Sequence, residues 1–327
     1  MPGSAPLLAV TTRFPPDAGP EALVPPLLAE AERVYVLLDA NRIANLPTLL
    51  EASGLEHGCL FQGELVEEAG RAAPWLVALH PGDRLLTQLL DRASKPGAGK
   101  PGPHPYAHLT AEPGIYFHSA MPLAALRQHL RRFLRVQAQD GRAFFFRFWE
   151  PKVAEVYFPG LADRPALLHR WFYSREGHAI EAISVARLGE DGAPQLLRLT
   201  PEGLAPDLAP QPGAFTLSEG DVARLQALRL REDAAELARL LAETFPETAT
   251  PLGAAGLAQF SETTMARMMQ AGFRKKAHLM TLLSWELHFG PGFETRDPEG
   301  KLAALMAAPG PENERFAHLT ARMEAFG

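Results

Sequence analysis

Four prolines, Pro201, Pro206, Pro210 and Pro212, fall within a dozen residues and forbid any regular element from crossing that stretch. The hydrophobic pattern differs on its two sides. Upstream lie short apolar runs of strand length: Val34-Tyr35-Val36-Leu37-Leu38 ending at Asp39, Cys59-Leu60-Phe61, Trp75 to Leu79, Gly114 to Ser119 and Ala143 to Phe148. Between them a helix is expected over Leu46 to Ala52. A second opens at Pro122, with Leu123, Leu126, Leu130, Phe133 and Leu134 at helical spacing. Asp140-Gly141 supplies a turn, and Ile180 to Leu188 with Gln195 to Leu199 reads as a hairpin around Asp191-Gly192. The chain before them, with five prolines from Pro15 to Pro26, reads as an irregular arm leading into a short helix.

Downstream of the prolines the period is helical. Ser218 with Asp221 three residues on has the form of a capping box before Val222, Leu225 and Leu228. Asp297-Pro298-Glu299 has the form of another helix start, and Phe316, Leu319, Thr320 and Met323 share one face of a last helix. The run from Leu279 to Leu287 is apolar on most sides and is expected at the centre of a bundle. The fold class is therefore α+β: a mixed β-sheet flanked by helices in an N-terminal domain, then a mostly α-helical C-terminal domain. The expected divisions are an arm and short helix over 1–32, an α/β domain over 33–200, a linker over 201–217 and a helical domain over 218–327.

Charge excludes one function class. With 32 basic against 38 acidic residues the net charge is −6, so no global positive field attracts a phosphate backbone, and nucleic acid is not an expected partner. The single cysteine, Cys59, rules out an internal disulfide and a cysteine-based zinc site. No run approaches 18 apolar residues and the N-terminus lacks a signal-peptide pattern, so a cytoplasmic protein without membrane insertion is expected.

A search for chemistry returns strings without context. Gly97-Ala98-Gly99-Lys100-Pro101-Gly102 matches a dinucleotide-binding pattern, but Pro101, Pro103 and Pro105 deny it the following helix whose amides would hold a pyrophosphate. It reads as a surface loop, and no cofactor is expected. His104 and His108 are four apart but flank a proline, without a third ligand nearby, so no metal is expected. Cys59, between apolar neighbours, reads as a buried small hydrophobe and not as a nucleophile. No catalytic residue is assigned. Arg127, Arg131, Arg132 and Arg135 crowd the helix after Pro122 and its exit, forming either a solvated face or a protein interface. Met265, Met268, Met269 and Met280 suit an irregular core or an adaptable groove, with core favoured.

Several segments in order carry a resemblance: Cys59-Leu60-Phe61-Gln62-Gly63, Ala73-Pro74-Trp75-Leu76-Val77, His129-Leu130-Arg131-Arg132, and Asp140-Gly141-Arg142 running into Phe146-Arg147-Phe148-Trp149-Glu150-Pro151. Together with the strand ending at Asp39 they resemble the conserved domain of type VI secretion adaptor proteins, also called effector chaperones, over roughly residues 33–172. Phe289-Gly290-Pro291-Gly292-Phe293-Glu294 before Asp297-Pro298 is similar to the tail of many such adaptors. The resemblance implies a bacterial, cytoplasmic, non-enzymatic loading factor. Its partners would be a cognate toxic effector and the VgrG spike of the injection machine. The motif residues would be Asp39, Pro74, Trp75, Arg147, Trp149, Glu150 and Pro151, serving structure or partner contact. Arg147 alternates with phenylalanines, so it projects away from Phe146 and Phe148 and suits a carboxylate such as Asp39. Two rivals remain: an enzyme whose groups, such as His118 and Glu150, converge only in space, and an immunity protein that blocks a toxin.

Overall fold

A computed structural model describes residues 7–29, 33–63, 73–91, 109–189, 191–204 and 215–326. The Gly/Pro run 95–105, His104, His108 and residues 205–214 of the expected linker lie outside the described residues. The chain divides into two compact units, Met1–Leu225 and Gln226–Gly327.

The first unit is built on a seven-stranded sheet. Its strands are β1 (Leu7–Arg13), β2 (Val34–Asp39), β3 (His57–Cys59), β4 (Pro74–Leu79), β5 (Gly114–His118), β8 (Ala182–Leu188) and β9 (Pro194–Pro201). They lie in the order β1-β9-β8-β5-β2-β4-β3, and every neighbouring pair is antiparallel. β2 is buried along its whole length because both faces of the sheet are covered. Val34, Val36 and Leu38 pack with α1 (Pro20–Leu28), α2 (Leu46–Ser53) and α3 (Arg84–Leu90). Tyr35 and Leu37 face the other way, onto α4 (Leu123–Arg131), α5 (Pro151–Tyr157) and α6 (Pro165–Phe172).

A small sheet packs into that second core. It joins β6 (Arg135–Ala138), β7 (Ala143–Phe145) and β10 (Thr216–Leu217) in the order β10-β6-β7. The α+β class is thus met, with the parallel contact of a mixed sheet confined to β10 and β6. Trp171 is the hub of this core. It stacks on Phe133 at 3.7 Å and meets Phe148 and Phe158 edge-on at 5.1 and 5.0 Å, while its indole N–H donates to Tyr157 Oη at 3.2 Å.

Several expectations shift. The arm contains β1, a strand whose alternation shows no buried side after Leu7. Pro25 and Pro26 lie inside α1 instead of before it. The strand expected to run from Ala143 to Phe148 stops at Phe145, although Phe146 and Phe148 are buried and Arg147 turns outward as the alternation required. The hairpin β8–β9 forms as read, closed by Gly192 at φ 75°.

α7 (Glu219–Thr244) contains the division between the units. Its start is the capping box read from sequence: Ser218 N–H donates to Asp221 Oδ2 at 2.9 Å, and Asp221 N–H donates to Ser218 Oγ at 3.1 Å. The second unit holds the rest of α7 with α8 (Pro246–Ala249), α9 (Gly253–Gln270), α10 (Lys276–Phe289), α11 (Lys301–Ala307) and α12 (Glu312–Phe326). Leu279, Leu282 and Leu283 of α10 lie in its core beside Met265 and Met268, and Leu319 and Met323 join from α12. Asp297 does not open a helix directly, because a turn intervenes and α11 begins at Lys301. Its carboxylate still caps that helix, accepting the Leu302 N–H at 3.0 Å and the Arg322 guanidinium.

Candidate functional site

Asp39 ends β2 and is 1% exposed, which obliges its carboxylate to find partners. It accepts the Asn41 N–H at 2.9 Å and the Arg147 guanidinium. Arg147 thus makes the pairing that the alternation suggested. Its Nε lies 2.5 Å from Glu150 Oε1, and the guanidinium sits 5.9 Å from the centre of the Trp149 ring. Glu150 is the N-cap residue of α5 and Pro151 its first residue, where a missing N–H costs nothing. One guanidinium therefore ties the end of β2 to the start of α5. Trp149 is 2% exposed and belongs to the core. Trp75, on β4, is partly buried and packs against the cores on both faces of the sheet, with His57 at 5.8 Å. Pro74 begins β4 and accepts the Leu60 N–H at 2.9 Å through its carbonyl.

The four arginines have different surroundings. Arg131 donates to the carbonyls of Leu60 and Phe61 at 2.7 and 3.1 Å, fastening the chain after β3 to α4. Arg127 lies so close to Gly58 that a Cβ there would come within 2.7 Å of its Nη1. Arg132 contacts His129 Nδ1 at 3.4 Å and the Phe133 ring at 5.7 Å. Arg135, first in β6, is exposed. With Leu60, Phe61, Arg131, Leu134 and Phe145 it lines a groove of about 230 Å³. Phe145 is 40% exposed and meets Phe61 edge-on at 5.3 Å.

The sequence did not single out this groove, since Phe145 read simply as one residue of an alternating strand. Its position beside Arg135 follows from the antiparallel register of β6 with β7, which pairs Arg135 with Phe145 directly. The segments of the first unit that carry the resemblance, far apart in sequence, are thus joined by direct contacts. Arg131 binds residues 60 and 61, Leu60 binds Pro74, Phe145 packs on Phe61, and Arg147 reaches Asp39.

The buried titratable groups serve the fold. His118 Nε2 contacts Ser184 Oγ at 2.8 Å with both residues fully buried, and burial, helped by Arg198, pushes the imidazole down to about 3. His129 Nε2 contacts the Trp171 carbonyl at 2.7 Å, and burial outweighs that bond to push it down to about 4. His118 and Glu150, weighed as convergent catalytic groups, have these separate partners. Burial raises the Cys59 thiol above its ordinary value, as suits a small buried hydrophobe. Among the described residues no three His, Cys, Asp or Glu side chains gather to hold a metal, and no helix is long and apolar enough to cross a membrane.

The fold and these joined segments define an α+β unit that presents a composite aromatic and arginine surface. Within it, residues 34–166 match the model of a family described as Domain of unknown function (DUF4123), a span of under half the chain. No curated protein and no solved structure matches.

Proposed function

We propose that this protein is a non-enzymatic adaptor of a type VI secretion system, which binds a cognate toxic effector and loads it onto the VgrG spike. The supporting observation is this set of contacts. The resembling segments of the first unit touch one another through Asp39, residues 60 and 61, Pro74, Arg131 and Arg147, and beside residues 60 and 61 and Arg131 lies the groove rimmed by Arg135 and Phe145. Exposed aromatic and arginine side chains supply large contact area and forked hydrogen bonding at modest entropic cost, which suits a protein interface. The buried histidines are spent on the fold, in keeping with a binding role.

The test is co-expression with the VgrG spike protein and candidate effectors of the type VI system of the source bacterium, followed by affinity purification. The spike and the cognate effector are expected to be retained by the wild type. The variants R135E and F145A change exposed side chains, so they are expected to melt with the wild type while losing one partner. Retention of neither partner, together with effector export that survives deletion of the gene, refutes the reading. Protection of toxin-expressing cells, without any effect on delivery, would assign the chain to immunity instead.

A further inference from the structure

The loop between α6 and β8 is closed by its own hydrogen bonds. The Ser174 hydroxyl accepts the Glu176 and His178 N–H groups, each at 3.2 Å, and the Ser174 N–H donates to the His178 carbonyl at 2.8 Å. Gly177, at φ 83°, supplies the left-handed turn. The loop meets the exit of α4 at a cavity of about 320 Å³, lined by His129 and Arg132 from one side and by Ser174, Arg175, Glu176 and His178 from the other.

Arg132 is steadied from the core. His129 is 3% exposed and its Nε2 lies 2.7 Å from the Trp171 carbonyl, an atom that only accepts, so Nε2 carries the ring proton. Nδ1 is left as an acceptor, and Arg132 Nη1 reaches it at 3.4 Å. The rest of the guanidinium fork is unspent: among the described residues neither Arg132 nor Arg175 forms an ion pair. Burial, and then the neighbouring charges of Arg175 and Arg170, push the Arg132 guanidinium below its usual value, and Glu176 offsets them only in part. Three arginines thus crowd one carboxylate, and the fold carries the repulsion of that cationic surplus at the mouth of a cavity.

We infer that this cavity is a binding site for a doubly charged oxyanion, a phosphate group or two neighbouring carboxylates, with Arg132 and Arg175 as the groups that hold it. Two negative charges match the surplus of three arginines over Glu176. The surplus is local, since the whole chain carries a net charge of −6, and a compact cavity suits one anionic group better than the row of phosphates of a nucleic acid. The inference stands on this cavity alone and does not rest on the adaptor reading, so co-purification can fail while it holds, and the reverse.

The test is isothermal titration calorimetry on the full chain at mildly alkaline pH, where phosphate is a dianion. The probes are potassium phosphate, against potassium chloride of equal ionic strength, and acetyl-Gly-Glu-Glu-Gly-amide, against its twin with Gln for both Glu. The wild type is expected to bind phosphate, the Glu peptide or both, and neither control; which probe binds separates a free anion from one carried by a polypeptide. R175Q, on the exposed loop, is expected to keep the wild-type melting temperature and weaken binding about tenfold. R132Q should do the same, and R175Q carries the test if R132Q fails to fold. E176Q removes the one acid that lines the cavity and is expected to tighten binding about threefold. R229Q, an exposed arginine of the second unit, should change nothing. The inference is overturned if the wild type binds neither probe at millimolar concentration, if a folded R175Q binds like the wild type, if E176Q fails to tighten binding, or if R229Q weakens it as much as R175Q does.

Discussion

The ion pair between Arg164 and Asp221 offers a stability prediction whose size and pH dependence follow from its geometry. Asp221 is 1% exposed. Arg164 meets it as a fork, Nη1 to Oδ2 at 2.7 Å and Nη2 to Oδ1 at 2.6 Å, while Arg224 adds a bond at 2.6 Å and Ser218 donates from Oγ at 2.7 Å. Burial alone would raise this carboxyl. The hydrogen bonds, led by that of Arg164, overcome it and hold the group at about 2 instead of 3.8. That displacement is worth about 2.5 kcal/mol to the folded state at neutral pH. D221N keeps the shape and removes the charge, so a loss of about 2–3 kcal/mol is expected. R164M should cost a similar amount, about 2–3 kcal/mol, because it removes the forked pair but leaves the buried carboxylate its bonds from Arg224 and Ser218, whereas D221N leaves a guanidinium that is 24% exposed. The double variant should cost less than the sum.

The sign with pH is fixed. A carboxyl lowered in the folded state contributes its full stabilisation above the unfolded value of 3.8 and loses it as pH falls toward about 2. The gap between wild type and D221N should therefore hold constant from pH 7 to near 5 and narrow below pH 4. Urea unfolding followed by tryptophan fluorescence measures it. Trp75, Trp149 and Trp171 belong to the first unit and Trp285 to the second, so a W285F background reports the unit that contains Asp221. A D221N loss below about 0.5 kcal/mol, or a gap that ignores pH down to 2.5, refutes the reasoning.

Three further outcomes are expected. A Cβ on Gly114 would lie 1.9 Å from the Leu37 carbonyl oxygen, a backbone atom that cannot rotate away, so G114A should cost about 3 kcal/mol in a urea titration by prying β5 from β2. R147K keeps a charge but cannot span Asp39 and Glu150 together, and a loss of about 1–2 kcal/mol is expected by the same assay; equality with wild type would deny the bridge a stabilising role. His118 and His129 are held neutral in the fold at about 3 and about 4, so the unfolded chain takes up their protons first below pH 6.5. Stability should then fall as pH drops from 6.5 toward 4 with a slope of up to about 2.7 kcal/mol per pH unit for the pair, and H129Q should flatten it.

What the sequence disclosed tracks what burial imprints on it. β2, β4 and β5 were legible because both faces are covered, and the helix expected over Leu46 to Ala52 forms as Leu46–Ser53 with Leu46 and Leu50 on its buried side. The Ser218–Asp221 box was visible as a local pattern, whereas Arg164, which completes it, stands 57 residues from Asp221 and leaves no local trace. The short helices Pro151–Tyr157 and Pro165–Phe172 went unread because their apolar faces are spent on one aromatic core around Trp171, which looks like no simple period over seven or eight residues.

The same rule explains why the exposed surfaces were the hardest to see. Alternation is a signature of having one covered face. β1 has neither face covered after Leu7, so Leu7-Leu8-Ala9-Val10-Thr11-Thr12-Arg13 carries no two-residue signal, and only its pairing with β9, nearly two hundred residues away, makes it a strand. Phe145 is legible as a strand residue but its exposure is not, because exposure depends on where β6 and Arg131 set the neighbouring chain. Such residues lie outside the protein's own core, and the periodicity that reveals a fold is written by that core.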